Sequence, residues 1–181
     1  MSVERRTIAT ARLLLQPIDG SHTAGIHAAV VASIDHLLPW MPWAVGINAA
    51  DIRRFNLAAR SAWRDGRAYD FAILEGGVLA GVVTLTLNHG GVGEVGYWVG
   101  ADRAGRGLAT EAASAVVGFG FEELGLYRVE LRAGVENVRS LRVAEKLGFQ
   151  REGLLRNGLD GADGPFDTYM FGMTPEDWTS R

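Results

Sequence analysis

The segment from Val92 to Ala112 constrains the chain more than any other, because it carries a strand into a glycine-rich turn and then into a helix. Val92–Val99 has strand character and Gly100-Ala101-Asp102-Arg103 is a short link. Ala104-Gly105-Arg106-Gly107-Leu108-Ala109-Thr110-Glu111-Ala112 then opens a helix with apolar positions at Leu108, Ala112, Ala115, Val116 and Phe119. That spacing marks one buried face, and its small residues allow close packing on a sheet. A strand that delivers glycines to a helix start is physically an anion trap. The first turn has N–H groups without partners in the helix, the peptide dipoles add partial positive charge, and glycine lets phosphate oxygens approach the backbone. Arg103 and Arg106 bring charge to the same place. A plain tight turn with two solvated arginines would use the same residues, so other segments must decide.

A dinucleotide-binding reading of Gly105-Arg106-Gly107 fails on three counts. Thr110 replaces the third glycine, the motif lies in mid-chain, and no acidic residue ends a second strand about 20 residues further on. The rest of the chain predicts an alternation of strands and helices. Arg12–Ile18 reads as a strand closed by Pro17, and His22–Leu38 as a helix with Ile26, Val30, Ile34 and Leu37 on one side. The prolines of Leu38-Pro39-Trp40-Met41-Pro42-Trp43 break it and predict a loop carrying two tryptophans. Asp51–Arg64 is helical again, and Tyr69–Leu74 with Val78–Asn88 forms a hairpin around Glu75-Gly76-Gly77. Arg128–Ala133 is another strand, and Gly134-Val135-Glu136-Asn137 leads into a helix stopped at Gly148. Asp160–Gly164 turns between the last two strands and lacks the oxygen ladder of a calcium loop.

Composition removes several function classes. The 181 residues, 48% hydrophobic, suit one domain spanning 1–181. With no cysteine there is no disulfide, thiolate metal site or cysteine nucleophile. A net charge of −3 argues against a nucleic-acid partner. No apolar run has membrane-spanning length and Met1–Arg12 does not resemble an export signal, so a cytoplasmic protein without a membrane partner is expected. His22, His27, His36 and His89 have no partners at ligand spacing; they are expected to be non-catalytic, and no metal is expected.

Asn137 is a predicted N-cap, and it shares a helical face with Ser140, Leu141 and Ala144. Asn137 and Ser140 either point at a ligand or only cap and back-bond. Arg139, Arg142 and Lys146 form a second row that would meet a ribose phosphate or water. Gly105–Ala112, Asn137-Val138-Arg139-Ser140 and Glu145-Lys146-Leu147-Gly148-Phe149 together resemble the acetyl-CoA-binding core of the GNAT acetyltransferases. Thr10–Leu15, Leu38–Trp43, Val95-Gly96-Tyr97-Trp98 and Glu152-Gly153-Leu154-Leu155-Arg156 resemble its RimJ/RimL branch, which acetylates the N-terminal amine of ribosomal proteins.

The resemblance implies an α+β fold with a mixed, mainly antiparallel sheet of about seven strands flanked by helices. It implies acetyl-CoA as co-substrate, an amine acceptor and a homodimer. It places the pyrophosphate on Arg103, Ala104, Gly105, Arg106, Gly107, Leu108, Ala109 and Thr110. The acyl carbonyl falls to main-chain donors of Tyr97, Trp98 and Val99, which free themselves where the strand splays from the next. Ser140 becomes the acid for the leaving thiolate, with Asn137 and Lys146 also on the cofactor. Glu94 is a candidate base or water-orienting carboxylate, with a cross-strand surface partner as its alternative. Trp40 and Trp43, on a loop made by two prolines, are expected to form a mobile lid over the acceptor, with a place in the core as the alternative. Tyr97 and Trp98 face opposite sides of the sheet, so only one lines the pocket. Two departures stand out: Ala104 replaces the usual glutamine or arginine, and Ala144 stands where many relatives place a tyrosine acid. A small-molecule amine, a larger acyl donor such as succinyl-CoA, or a non-catalytic CoA-binding module are the alternatives.

Overall fold

Alternating apolar residues in the central strands dictate a sheet covered on both faces, because each face buries one set. The computed structural model describes residues 3–88 and 90–181, so His89 lies outside the described residues. The strands are β1 (Ile8–Ala9), β2 (Leu13–Pro17), β3 (Ala68–Glu75), β4 (Val78–Leu87), β5 (Val92–Val99), β6 (Arg128–Gly134), β7 (Gln150–Gly161) and β8 (Gly164–Met173). The helices are α1 (Thr23–Ala32), α2 (Ile34–Leu37), α3 (Ala49–Arg64), α4 (Leu108–Glu122), α5 (Val138–Leu147) and α6 (Pro175–Thr179). The sheet runs β1-β2-β3-β4-β5-β6-β8-β7 and is antiparallel except between β5 and β6.

One face buries Leu13, Leu15, Phe71, Val83, Leu85, Val95 and Val99 against α4 and α5. Trp63 of α3 joins this core edge-on to Tyr69 and Phe71, with ring centroids 4.9 and 5.1 Å away. Burying each such ring contributes roughly 1.5–3 kcal/mol. The opposite face buries Ala72, Val82 and Trp98 under α1 to α3. Helix α4 lies close to its neighbours because Gly118 admits the ring of Trp178 from α6, where a Cβ would come within 2.9 Å.

The α+β fold and mainly antiparallel sheet are as expected, with three corrections. Among the described residues there are eight strands, because β1, two residues long and paired with β2, is too short for periodicity to reveal. The expected helix over His22–Leu38 breaks at Ser33, whose backbone leaves helical geometry while its hydroxyl accepts from the Ala101 amide at 2.9 Å. The turn of the β3–β4 hairpin is only Gly76-Gly77, both at positive φ, and Glu75 ends the strand.

The feature that creates a site is the short pairing of β5 with β6. Their ladder joins only Val92–Arg128, Gly93–Val129 and Glu94–Glu130. Beyond it, β5 stays with β4 to Val99 while β6 follows β8 to Gly134. A wedge opens between them.

On the α1–α3 face, Asp70 is buried with one side-chain partner, the Thr84 hydroxyl, which donates at 2.7 Å. Burial pushes its pKa up and the Thr84 bond offsets this only in part. The folded state therefore prefers the protonated acid, and the stability this group contributes is lost as pH rises through the raised value. Asp70→Asn should exceed the wild type in denaturant unfolding at pH 8 by on the order of 1 kcal/mol, and the gap should close as pH falls.

Candidate active site

Helix α4 begins at Gly107, which has φ +80° and supplies no side-chain cap. The first intrahelical bond is from the Glu111 amide to the Gly107 carbonyl, so the amides of Leu108, Ala109 and Thr110 have no partner within the helix. Gly105 is also left-handed, at φ +77°, and a Cβ there would meet nothing within 4 Å. The turn from Ala104 to Thr110 is thus an open cradle of main-chain donors at the positive end of a 15-residue helix.

The two arginines of the turn are engaged by carboxylates. Arg103 and Arg106 both turn back to Glu75, at 2.6 and 2.7 Å, and Arg103 also bonds Asp102. Both guanidinium groups are thus paired with carboxylates beside the turn. Arg12 reaches the turn itself. Its guanidinium donates to the Arg106 carbonyl at 3.0 Å and to Glu111 at 2.7 Å. Burial pushes the Glu111 carboxyl up, but hydrogen bonds from Thr10 and Arg12 outweigh it and hold the pKa below its usual value. From here a groove of about 570 Å³ extends along Thr110 and Ser114 to Lys146 on α5. Lys146 lines this groove, whereas the Arg139 guanidinium lies 3.1 Å from His36 Nδ1.

The wedge lies beside the cradle. On its α4–α5 side the hydroxyls of Tyr97 and Ser140 share a hydrogen bond of 3.0 Å. Asn137 caps α5 by accepting from the Ser140 amide at 3.2 Å. Burial pushes the Tyr97 phenol up to about 12, with the Ser140 bond offsetting part of the rise. Ala144, where a tyrosine acid was absent, is fully buried between α5 and the core. A phenol has instead arrived from β5.

The other side carries Trp98, packed against Trp43 with ring centroids 6.3 Å apart, so Tyr97 and Trp98 do part to opposite faces. Trp40 stacks edge-on against Phe166 at 5.8 Å. The segment holding both tryptophans is not wholly loop, since Pro42–Ala44 forms a 3₁₀ turn. Glu94 accepts two bonds from Arg132, at 2.9 and 3.1 Å, and Arg132 also donates to the Gly158 carbonyl. The cross-strand alternative for Glu94 thus has a partner. His22 is buried, bonded to the Asp19 amide and Gln16. Among the described residues, no group of three His, Cys, Asp or Glu is placed to hold a metal ion.

Arg12, Glu75 and Arg132 escaped the sequence reading because each acts across a long stretch of chain; Arg12 and Glu111 are 99 residues apart. Its place within Thr10–Leu15 is the one local signal that Arg12 gives.

A donor cradle with a basic groove beside a parted sheet suits a ligand that carries a pyrophosphate. Residues 12–150 match the family described as "Acetyltransferase (GNAT) domain", and the chain belongs to that family. It is 29% identical over 171 residues, 91% of each chain, to the Bacillus subtilis protein YdaF, named as an inferred ribosomal N-acetyltransferase. Mycobacterium smegmatis RimJ in complex with CoA-disulfide superposes with a TM-score of 0.88, at 29% identity over 96% of this chain and 89% of that one. The RimL ribosomal L7/L12 acetyltransferase in complex with coenzyme A gives 0.87 at 20% identity, over 93% and 98%, which speaks for the fold alone. The protein is an acetyl-CoA-dependent N-acetyltransferase.

Removing the Arg12 guanidinium while leaving the cradle tests the electrostatic part of this site. Arg12→Ala should weaken CoA binding about tenfold in calorimetry and flatten its dependence on salt between 50 and 300 mM, roughly the range over which screening sharpens.

Proposed function

We propose that the acceptor is the α-amine at the N-terminus of a protein, with a ribosomal protein as the substrate class. The observation that carries this is similarity over nine-tenths of the chain to YdaF, and a matching full-length similarity to RimJ. The proposal includes one domain over residues 1–181, a cytoplasmic location and a homodimer, in keeping with the RimJ/RimL resemblance. Neither nucleic acid nor membrane is part of it.

In this reading the amides of Leu108, Ala109 and Thr110 hold the pyrophosphate, Arg12 and Lys146 meet the nucleotide end, and the thioester lies in the wedge between β5 and β6. The unpaired edge of β5 from Tyr97 to Val99 faces the acyl carbonyl. A neutral amine attacks the carbonyl carbon, the carbon–sulfur bond breaks, and the sulfur takes a proton. Tyr97 and Ser140 act there as one donor unit, with the phenol protonated at every physiological pH. The nitrogen's surplus proton leaves to water oriented by Glu94, which Arg132 fixes in place. Direct attack asks mainly for positioning. An α-amine with a reference pKa of about 7.7–8.0 needs little help, whereas a lysine near about 10.4 needs much more.

Thiol release from acetyl-CoA, measured with N-terminal peptides, polyamines, aminoglycosides and free amino acids, tests the acceptor. Turnover of peptides above the small amines is expected, and turnover confined to small amines would overturn the protein-substrate reading. Ser140→Ala and Tyr97→Phe should each lower kcat about 10- to 100-fold while leaving acetyl-CoA affinity within about threefold. Combining them should add little, since the two hydroxyls form one unit.

A further inference from the structure

Contact explains most glycines in the strands of this sheet. A Cβ at Gly93 would lie 2.7 Å from Leu126, at Gly134 2.9 Å from Phe166, and at Gly172 2.4 Å from Glu152. Gly96 is different. It sits inside β5, is exposed, has no positive φ, and a Cβ there would meet nothing within 4 Å. Neither backbone geometry nor packing asks for glycine, and glycine within a strand destabilises it relative to alanine. Such a residue marks close approach by something else.

The surroundings indicate what approaches. Thr84 lies directly across from Gly96, and Glu94 and Trp98 flank it on the same face. The Thr84 hydroxyl leans on the buried Asp70, and Glu94 is held by Arg132. Gly96 also borders the wedge, because β6 has left β5 after Glu94. The open space is therefore edged by oxygen acceptors and one indole at the mouth of the reaction site. Oxygen acceptors suit an amine better than an acyl chain.

We propose that Gly96 sets acceptor specificity: the missing side chain is the room in which the α-carbon of the acceptor, the atom bearing the attacking amine, rests against the sheet. This rests on the acetyl-transfer reading above. Bulk at position 96 would displace the amine without touching the cradle at Gly107.

A bisubstrate analogue, CoA joined through its sulfur and an acetyl bridge to the α-amine of an alanine-initiated tripeptide, separates the two half-sites. Calorimetry on the wild type should show the analogue binding at least about tenfold more tightly than CoA, since it carries both halves. Gly96→Ala should keep CoA affinity within about twofold and an unfolding midpoint no lower than the wild type's, because alanine narrows the unfolded ensemble. It should lose most of the advantage of the analogue, and Gly96→Val should lose all of it. A Gly96→Ala protein with the wild-type preference overturns the assignment of Gly96 and leaves the acetyl-transfer reading standing. A wild type that gains nothing from the peptide half overturns the acceptor reading and this inference with it, and failure to bind CoA overturns both at their root.

Discussion

Everything at the site follows from β5 and β6 pairing over three residues and then separating. A parallel pair that stopped later would seal the sheet, satisfy the edge of β5 with strand hydrogen bonds and leave no passage between its two faces. The separation is stable because each strand has another partner: β4 holds β5 to Val99, and β8 holds β6 to Gly134. The backbone cost of opening the sheet is thus confined to two facing edges, Val95–Val99 of β5 and Leu131–Gly134 of β6.

Separation also explains the division of labour between faces. Tyr97 and Ser140 meet on the side of α4 and α5, next to the cradle, whereas Glu94, Arg132, Trp98 and Trp43 gather on the side of α1 to α3. Alternation along a strand is enough to send adjacent residues to different tasks. Tyr97 and Trp98 are neighbours in sequence and stand on opposite sides of the reaction.

Much of this was legible in the sequence because local chemistry wrote it there. The left-handed glycines 105 and 107, the Asn137 cap and the alternation in β5 announce themselves within a few residues of where they act. What stayed hidden depends on pairs far apart in the chain. Arg103 and Arg106 look like free cations until β3 brings Glu75 alongside, and Glu94 looks like a free carboxylate until Arg132 meets it. The break at Ser33 was hidden for the same reason, since its hydroxyl answers to Ala101, 68 positions away. Ala144 is a small buried residue and its identity is plain in the sequence. That β5 supplies a phenol to Ser140 needed the third dimension.

The hydroxyl pair at Tyr97 and Ser140 has a chemical corollary. Coenzyme A leaves the reaction as a free thiol, and a thiol departing past a cysteine can be captured as a mixed disulfide when oxidants are present. This chain has no cysteine, and the pair that Tyr97 and Ser140 form is one of oxygens, which make no such bond. The protein therefore forms no mixed disulfide with its own by-product.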